Sequence, residues 1–317
     1  MAPHWRIFAG LTLVLLGGLA WYMLKPPKSL SAEELSALYE TPLSPPSEPL
    51  TVYHLGHSLV GRDMPAMLAQ LAGHDHASQL GWGTPLRSHW YPDEPIQGFD
   101  VENAHDNFRD AKSALESGEY DVFVITEMVE IEAAIEYFDA PRYLQKWVEA
   151  ARAGNPGIRT YLYETWHRLD DPQDWLNRLD TDPARYWEGV LIAQATAAQP
   201  EADPIYVIPA GRVLAEFVRR IEASGGIDGV DSREDLFARA EDGSVDTIHV
   251  NDLGAYLVAL THYAVLYHRS PEGLPAQLDR ADGSPADAPG PELAALMQKT
   301  VWDVVTTLPA TGIAPAP

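Results

Sequence analysis

The sequence predicts an α/β fold with a mostly parallel sheet and helices on both of its faces, preceded by a hydrophobic N-terminal segment. Between about residues 50 and 275, short apolar runs rich in β-branched and aromatic residues alternate with stretches whose apolar residues recur every three or four positions. Strands that alternate with helices in this way are typical of parallel sheets. The chain has 317 residues, 46% of them hydrophobic, which suffices for a sizeable buried core.

The N-terminal segment has the features of a transmembrane helix. Residues 7–24 form an uncharged run of 18 residues between Arg6 and Lys25. This length is near the lower limit for crossing a bilayer, and the aromatic pair near its end suits the membrane interface. A cleaved signal peptide is the alternative, but the apolar run continues past the candidate cleavage site at residues 18–20. We therefore expect residues 1–28 to form a membrane anchor.

The anchor has consequences for location. Its positive flanks are nearly balanced, whereas the N-terminal tail is short and the body that follows is long and acidic. We expect a protein held in the membrane by one N-terminal helix, with its globular domain in the periplasm or otherwise outside the cytoplasm.

The segments on either side of the globular domain are short. Residues 29–49 combine an acidic helix, capped by Ser31, with a Pro-rich spacer. The α/β domain is expected over residues 50–275. Residues 276–317 are expected to form a polar linker, a helix over residues 293–308 and a flexible tail.

Within the domain, four segments predict strands, and five longer segments predict helices. The strands are residues 50–56, 121–126, 159–165 and 204–209. The helices are residues 63–73, 140–154, 183–197, 210–226 and 251–269.

Composition excludes several classes of function. The chain carries 46 acidic against 22 basic residues, a formal net charge of −24, and no basic cluster that would attract a nucleic acid. It has no cysteine, so thiol catalysis and disulfides are excluded. It also has no HExxH or His-x₃-His pattern, and we expect neither a metal nor a cofactor.

Polar and ionisable residues follow the ends of the predicted strands. Ser58 follows the first strand, Glu127 the second and His167 the third, while Asp246 and His249 precede the last helix of the domain. Ligands of parallel α/β folds bind beyond the carboxyl ends of the strands. These residues therefore mark the expected active site.

Three of these residues have the chemistry of acyl transfer. Ser58 supplies a hydroxyl, His249 can take its proton, and Asp246 can orient the imidazole from the same irregular loop. The backbone N–H of Ser58, at the start of a helix, and that of Gly83 would stabilise the oxyanion. The alternative is that Ser58 only caps its helix. We expect it to do both.

The motifs GHSL (residues 56–59), GWGTPL (81–86) and DTIHVND (246–252) resemble those of the SGNH (GDSL-type) hydrolase superfamily. The resemblance covers roughly residues 50–270. It implies a flavodoxin-like three-layer α/β/α sandwich with Ser58 as nucleophile, Asp246 and His249 as its partners, and Gly83 in the oxyanion hole. Members cleave or transfer acyl groups, often acetyl esters on carbohydrates or lipids.

One block departs from that group. Where it has Gly-x-Asn-Asp, whose Asn donates to the oxyanion, this chain has Thr126 and Glu127. An ionised glutamate facing the oxyanion would oppose catalysis. Either Glu127 is protonated by burial, or it contacts a substrate hydroxyl, or another donor serves. Asn103, His105 and Asn107 are the candidates for that donor.

Aromatic residues and histidines near the strand ends are candidates for substrate contact. Glu164, Trp166 and His167 follow the third predicted strand, and Trp166 could stack on a sugar. The alternative is a buried tryptophan beside a surface histidine. Trp82 and Trp90 present the same choice.

The sequence therefore favours a serine esterase or O-acyltransferase that acts on an acylated carbohydrate or small ester. A catalytically silent protein of the same fold, which binds glycans or assists assembly, is the alternative. A carboxylate glycosidase that uses Glu127 and Glu164 is a third hypothesis.

Overall fold

The computed structural model describes residues 27–47, 49–91, 93–199 and 201–315. The expected membrane-spanning run, residues 7–24, lies outside these ranges. Among the helices in the described ranges, none combines the length and apolar character needed to cross a bilayer.

The domain is built on a five-stranded parallel sheet. Its strands are β1 (Thr51–His57), β2 (Asp75–Gly81), β3 (Val122–Ile125), β4 (Arg159–Glu164) and β5 (Tyr206–Pro209). Their spatial order is β2-β1-β3-β4-β5, which is the flavodoxin-like order. A separate antiparallel pair, β6 (Phe237–Arg239) and β7 (Val245–Val250), lies outside this sheet.

Helices flank the sheet in two groups that pack among themselves. The helices are α1 (Ala32–Ala37), α2 (Asp63–Ala72), α3 (Leu86–Trp90), α4 (Phe99–Glu102), α5 (Ala111–Ser117), α6 (Ile131–Phe138), α7 (Ala140–Gly154), α8 (Trp175–Asp182), α9 (Ala193–Ala197), α10 (Ala210–Ser224), α11 (Asp252–Tyr267) and α12 (Pro291–Val305). One group contains α2, α10, α11 and α12, and in the other α3, α5, α6 and α9 surround α7. The predicted α/β class with a parallel sheet is confirmed.

Strand β2 was not predicted. Its sequence, DHASQLG, has no apolar run, although most of the strand is buried; β2 pairs with β1, and Ser78 also forms a bridge to Phe108. In the sequence, Gly81 and Gly83 indicate a break between elements. In the structure, Gly81 is instead the last residue of β2 and pairs with His57 in the parallel register. The glycine block therefore lies beside the end of β1.

Two predicted segments differ in the structure. The helix expected over residues 183–197 is a π-helix over Pro183–Ile192 that continues as α9. Residues 309–313, expected in a flexible tail, form a turn of 3₁₀ helix (Pro309–Thr311) followed by the buried Ile313. The backbone N–H of Leu43 donates to Gly312 O at 2.8 Å, so the tail also contacts the Pro-rich spacer.

Candidate active site

Ser58 directly follows β1 and lies in a turn that precedes helix α2. The turn is closed by a hydrogen bond from Val60 N to His57 O (2.9 Å), and Gly61 leaves it with a φ of +59°. The helix begins only at Asp63, with Arg62 in the N-cap position. The expectation that Ser58 caps the helix is therefore wrong, and its hydroxyl is free for another partner.

Two buried histidines hold the backbone on either side of this turn. His57 Nε2 donates to Glu127 O at 2.9 Å, and its Nδ1 accepts from Leu59 N at 3.3 Å. His89 Nε2 donates to Gly56 O at 2.9 Å. Burial lowers the pKa of both imidazoles to about 4, so both are neutral at pH 7 and each ring can donate and accept at once.

Asp246 and His249 lie on β7, and not in the irregular loop expected for them. The pairs Phe237–Val250 and Arg239–Val245 leave one residue between them on β6 and four on β7, so β7 bulges between its paired ends. A bulge lets the carboxylate turn back onto the imidazole although the two residues are only three apart. The expected proximity thus arises within a distorted strand.

The three side chains form a continuous chain of hydrogen bonds. Ser58 Oγ donates to His249 Nε2 at 3.0 Å, and His249 Nδ1 donates to Asp246 Oδ2 at 2.8 Å. The other carboxylate oxygen of Asp246 accepts from Ile248 N at 2.9 Å and His249 N at 3.1 Å. Partial burial raises the pKa of Asp246, but these hydrogen bonds outweigh it and hold the pKa below its usual range. An ionised Asp246 keeps the proton of His249 on Nδ1 and leaves Nε2 as the acceptor.

Two further hydrogen bonds anchor the bulged strand. Trp166 Nε1 donates to Ile248 O at 2.8 Å, and the backbone N–H of Leu169 donates to Thr247 O at 2.8 Å. Both donors come from the segment after β4, so the end of the central sheet supports the strand that carries His249.

The two residues expected to donate backbone N–H groups to the oxyanion border the same cleft as the Ser58 hydroxyl. Ser58, Gly83 and His249 all border it. Within the described residues, the backbone N–H groups of Ser58 and Gly83 make no hydrogen bond to a protein acceptor. Gly83 has a φ of +54°, and a Cβ built there would contact nothing within 4 Å. Its conformation, and not close packing, is therefore what requires a glycine.

Glu127 does not enter the cleft. Its side chain is fully buried, and Oε1 accepts from Leu86 N (3.1 Å) and Met128 N (2.8 Å). Burial raises its pKa to about 7, against the lowering effect of these two hydrogen bonds. The carboxyl group thus holds the start of α3, which follows the glycine block. The expectation that it contacts the oxyanion or the substrate is wrong.

Only one of the three candidate replacements for the oxyanion donor borders the cleft. The side chain of Asn103 bonds to both backbone groups of Leu80 and to Phe99 O at 2.8–3.0 Å, which uses both of its N–H donors. Asn107 bonds to His76 at 3.2 Å. His105 lines the cleft.

The residues after β4 are structural. Trp166 is buried beneath β7, so it offers no face to a sugar. His167 is buried as well, and its Nε2 lies 3.0 Å from a carboxylate oxygen of Asp182 at the end of helix α8. Glu164 is buried and pairs with Arg212 at 2.7 Å. The substrate-binding roles expected for Trp166 and His167 are therefore not supported by their positions.

The two remaining tryptophans differ. Trp90 packs edge-on against Trp147 with ring centroids 4.9 Å apart. Trp82 is 48% exposed, borders the cleft next to Gly83, and donates from Nε1 to Glu102 at 2.7 Å.

Comparisons with known proteins concern the fold. The sequence matches no protein-family model and no curated protein. A DUF4886 family protein from Bacteroides uniformis superposes with a TM-score of 0.50 at 15% identity, over 81% of this chain and 95% of that one. A protein described as a GDSL-like lipase from Parabacteroides merdae matches at 12% identity over 70% and 96% of the two chains (TM-score 0.38). A carbohydrate esterase family 3 structure from Talaromyces cellulolyticus matches at 14% over 69% and 97% (TM-score 0.35).

The chain shares its fold with the DUF4886 family protein, and its parallel sheet has the flavodoxin-like strand order that the resemblance to the SGNH superfamily implies. The resemblance that the sequence predicts is thus confirmed for the fold. Within it, the residues at the end of β3 differ from the SGNH pattern, because Thr126 donates to Tyr163 O at 2.7 Å and Glu127 is turned into the interior.

The cleft that Ser58 borders has a volume of about 920 Å³. It is bordered by several charged side chains that the sequence did not single out, among them Arg62, Arg168 and Arg280. Arg62 lies only four positions after Ser58, and this short separation is the feature of the sequence that could have indicated its place beside the nucleophile. Among the described residues, no group of three or more His, Asp or Glu side chains has an arrangement that could hold a metal ion.

Proposed function

We propose that the chain is a serine esterase or O-acyltransferase. The observation that carries this proposal is the hydrogen-bonded series Ser58–His249–Asp246, with distances of 3.0 and 2.8 Å, at the edge of a large cleft. A hydroxyl, a neutral imidazole acceptor and an orienting carboxylate are the groups that nucleophilic acyl transfer requires.

The proposed reaction has two halves. The Ser58 oxygen attacks the acyl carbonyl while its proton moves to His249 Nε2. The backbone N–H groups of Ser58 and Gly83 stabilise the oxyanion, and the alcohol leaves with the proton from His249. Water or a sugar hydroxyl then gives its proton to His249 and attacks the acyl-serine, and His249 returns that proton to Ser58 Oγ as the acid or the new ester is released. Asp246 stabilises the imidazolium in both halves.

The proposed substrate is an acylated carbohydrate or another small ester. A cleft of about 920 Å³ has room for an alcohol part the size of a sugar ring beside the acyl group. We also propose that residues 1–28 anchor the chain in a membrane with the domain outside the cytoplasm, on the basis of the uncharged run at residues 7–24.

The alternative is a silent glycan-binding or assembly protein. Two observations motivated it: a glutamate in place of the oxyanion Asn, and the missing Asn itself. The burial of Glu127 away from the cleft removes the first. A glycosidase that uses Glu127 and Glu164 is disfavoured, since both carboxylates are buried and bonded elsewhere.

Ester turnover by the purified full-length chain tests the proposal. The substrates are 4-nitrophenyl acetate and an acetylated xylo-oligosaccharide. We expect Ser58→Ala to lower kcat/KM by about 1,000-fold or more. Ser88→Ala is the matched control, because Ser88 bonds to Glu94 and does not border the cleft, and it keeps the activity. Equal turnover by Ser58→Ala would refute the serine mechanism.

A further inference from the structure

A second cavity lies beside the cleft that contains Ser58. Its volume is about 400 Å³, and it shares Arg62, His105 and Ala281 with the cleft. A ligand bound at Ser58 can therefore extend into it past Arg62. His76 lies on its wall.

Arg62 is the arginine whose charge is available to a ligand. It is exposed, and its guanidinium has no hydrogen bond or ion pair within the described residues. The other two arginines of the cleft are paired: Arg168 Nε lies 3.1 Å from a carboxylate oxygen of Asp170, and Arg280 Nε lies 3.1 Å from one of Asp252. Arg62 therefore presents a positive charge, without a carboxylate partner among the described residues, between the two cavities.

Two histidines, His76 and His105, line the same wall. Nε2 of His105 is buried and has no partner among the described residues. Burial, and then the charge of Arg62, lowers the pKa of His105, while a backbone hydrogen bond to Glu102 and nearby carboxylates partly offset this. The positive charge of Arg62 therefore acts on this wall of the cavity.

We propose that this second cavity binds an anionic group, a carboxylate or a phosphate, of the molecule whose ester is cleaved at Ser58. Arg62 forms the charged contact, and His105 and His76 line the wall beside it. The proposal rests on the proposed acyl-transfer function and narrows its substrates to acidic ones. One carboxylate, Asp106, also borders the cavity but is exposed, so water screens its repulsion of the ligand.

Binding to the full-length Ser58→Ala protein tests this inference apart from catalysis. Three ligands are titrated by calorimetry at low salt: methyl glucuronoside, glucose 6-phosphate and the neutral methyl glucoside. We expect at least one of the charged ligands to bind about 10-fold more tightly than the neutral one, because a charge-assisted contact to Arg62 is added. The carboxylate and phosphate arms identify which anion is preferred.

Two further variants assign the effect to Arg62. In the Ser58→Ala background, Arg62→Gln removes the preference for the charged ligand, whereas Arg168→Gln, the matched loss of a cleft arginine, keeps it. Three ligands that bind equally, or none that bind, would overturn the proposal, as would an equal loss in both arginine variants. If the charged ligands bind as expected and wild-type protein turns over no ester, the anion site stands and the proposed function fails.

Discussion

Glu127 occupies the position after β3 where an ionised carboxylate near an oxyanion would oppose the reaction. The structure removes this conflict, since the side chain points to the N–H groups of Leu86 and Met128. Its second oxygen, Oε2, is buried with no partner among the described residues. The carboxyl group therefore costs stability when it ionises, because part of it is desolvated without compensation.

Glu127→Gln is expected to stabilise the protein at alkaline pH. The pKa of Glu127 is raised to about 7 in the folded state, above its usual value near 4.5, so the folded state binds the extra proton. The resulting penalty is absent below about pH 4.5 and grows as pH rises through about 7. We expect the variant to gain roughly 1–3 kcal/mol in free energy of unfolding at pH 8 and little at pH 4.5, as measured by urea denaturation.

The matched control is Glu164→Gln. Glu164 is equally buried and its pKa is also raised to about 7, but its carboxylate is paired with Arg212. Glu164→Gln also removes an ionisation that costs stability at pH 8, but it leaves Arg212 with Glu188 as its remaining partner, so we expect a smaller gain than for Glu127→Gln. A Glu127→Gln protein that is no more stable at pH 8 than the wild type would contradict this account of the carboxyl group.

Single residues differ in how well the sequence predicts their place. Ser58 and His249 were expected together because Ser58 follows the first predicted strand and His249 directly precedes the last helix of the α/β pattern. His167 could not be placed, because its burial depends on Asp182, which comes from helix α8. Asn103 likewise has the side chain of an oxyanion donor, but its partner is the backbone of Leu80 on the unpredicted strand β2.

At the scale of elements, strand β7 decides the geometry of the site. Its bulge brings Asp246 onto His249, and Trp166 holds the middle of the bulge through Ile248 O. A bulge is not visible in the sequence, because it depends on the register with β6. The same is true of β2, whose polar sequence forms a strand through its pairing with β1 and the bridge from Ser78 to Phe108, contacts that lie far apart in the sequence.

Trp166→Phe tests whether the support beneath β7 positions His249. We expect a loss of about 1 kcal/mol of stability, since a buried carbonyl loses its donor. We also expect the rate of serine labelling by a fluorophosphonate to fall about 10-fold, because the imidazole is less well oriented. Trp175→Phe removes a similar buried hydrogen bond, to His167 O, away from the bulge.

The comparison between the two tryptophan variants separates positioning from stability. Both should lower the melting temperature by a few degrees. Only Trp166→Phe should slow labelling under conditions where the protein is folded. An equal slowing in both variants would show that the bond to Ile248 O has no specific role in orienting His249.

At the scale of the whole molecule, the interior contains an unusual number of neutral histidines. Burial is the main cause that lowers the pKa of each of them, to about 4 in most cases and well below its usual value for His54. Within the described residues, both ring nitrogens of His54 lack a partner. The group consists of His54, His57, His74, His89, His262 and His268.

These histidines predict that the protein is less stable in mild acid. The unfolded chain binds their protons near pH 6.5 and the folded chain only near pH 4, so stability is full above about 6.5 and falls as pH decreases toward 4. Each contributes roughly 1 kcal/mol per pH unit in that window. Glu127 and Glu164 act in the opposite direction, but the histidines outnumber them.

Urea denaturation at pH 7.5 and pH 5.5 measures this effect. The experiment uses 0.2 M salt, which screens the change in repulsion of a chain with a net charge of −24. We expect a clearly lower free energy of unfolding at pH 5.5. Equal or higher stability at pH 5.5 would show that the buried imidazoles are not kept neutral by the fold.

The parallel sheet explains why much of the site could be predicted without a structure. In the order β2-β1-β3-β4-β5, Ser58 follows the interior strand β1, and Gly83 follows its neighbour β2 at the same edge. Any sequence that encodes this topology brings those two residues together. The second cavity could not be predicted, because Arg62 and His105 meet across a turn and a loop whose paths depend on packing.

The most direct test of the central claim is labelling of the full-length chain with a fluorophosphonate probe, read by intact mass and peptide mapping. An activated serine displaces fluoride and becomes covalently phosphonylated. We expect one label per chain, on Ser58, which Ser58→Ala and His249→Ala abolish and Asp246→Asn slows by about 100-fold or more. A folded protein that takes no label, or takes it on another residue, would contradict a serine activated by His249.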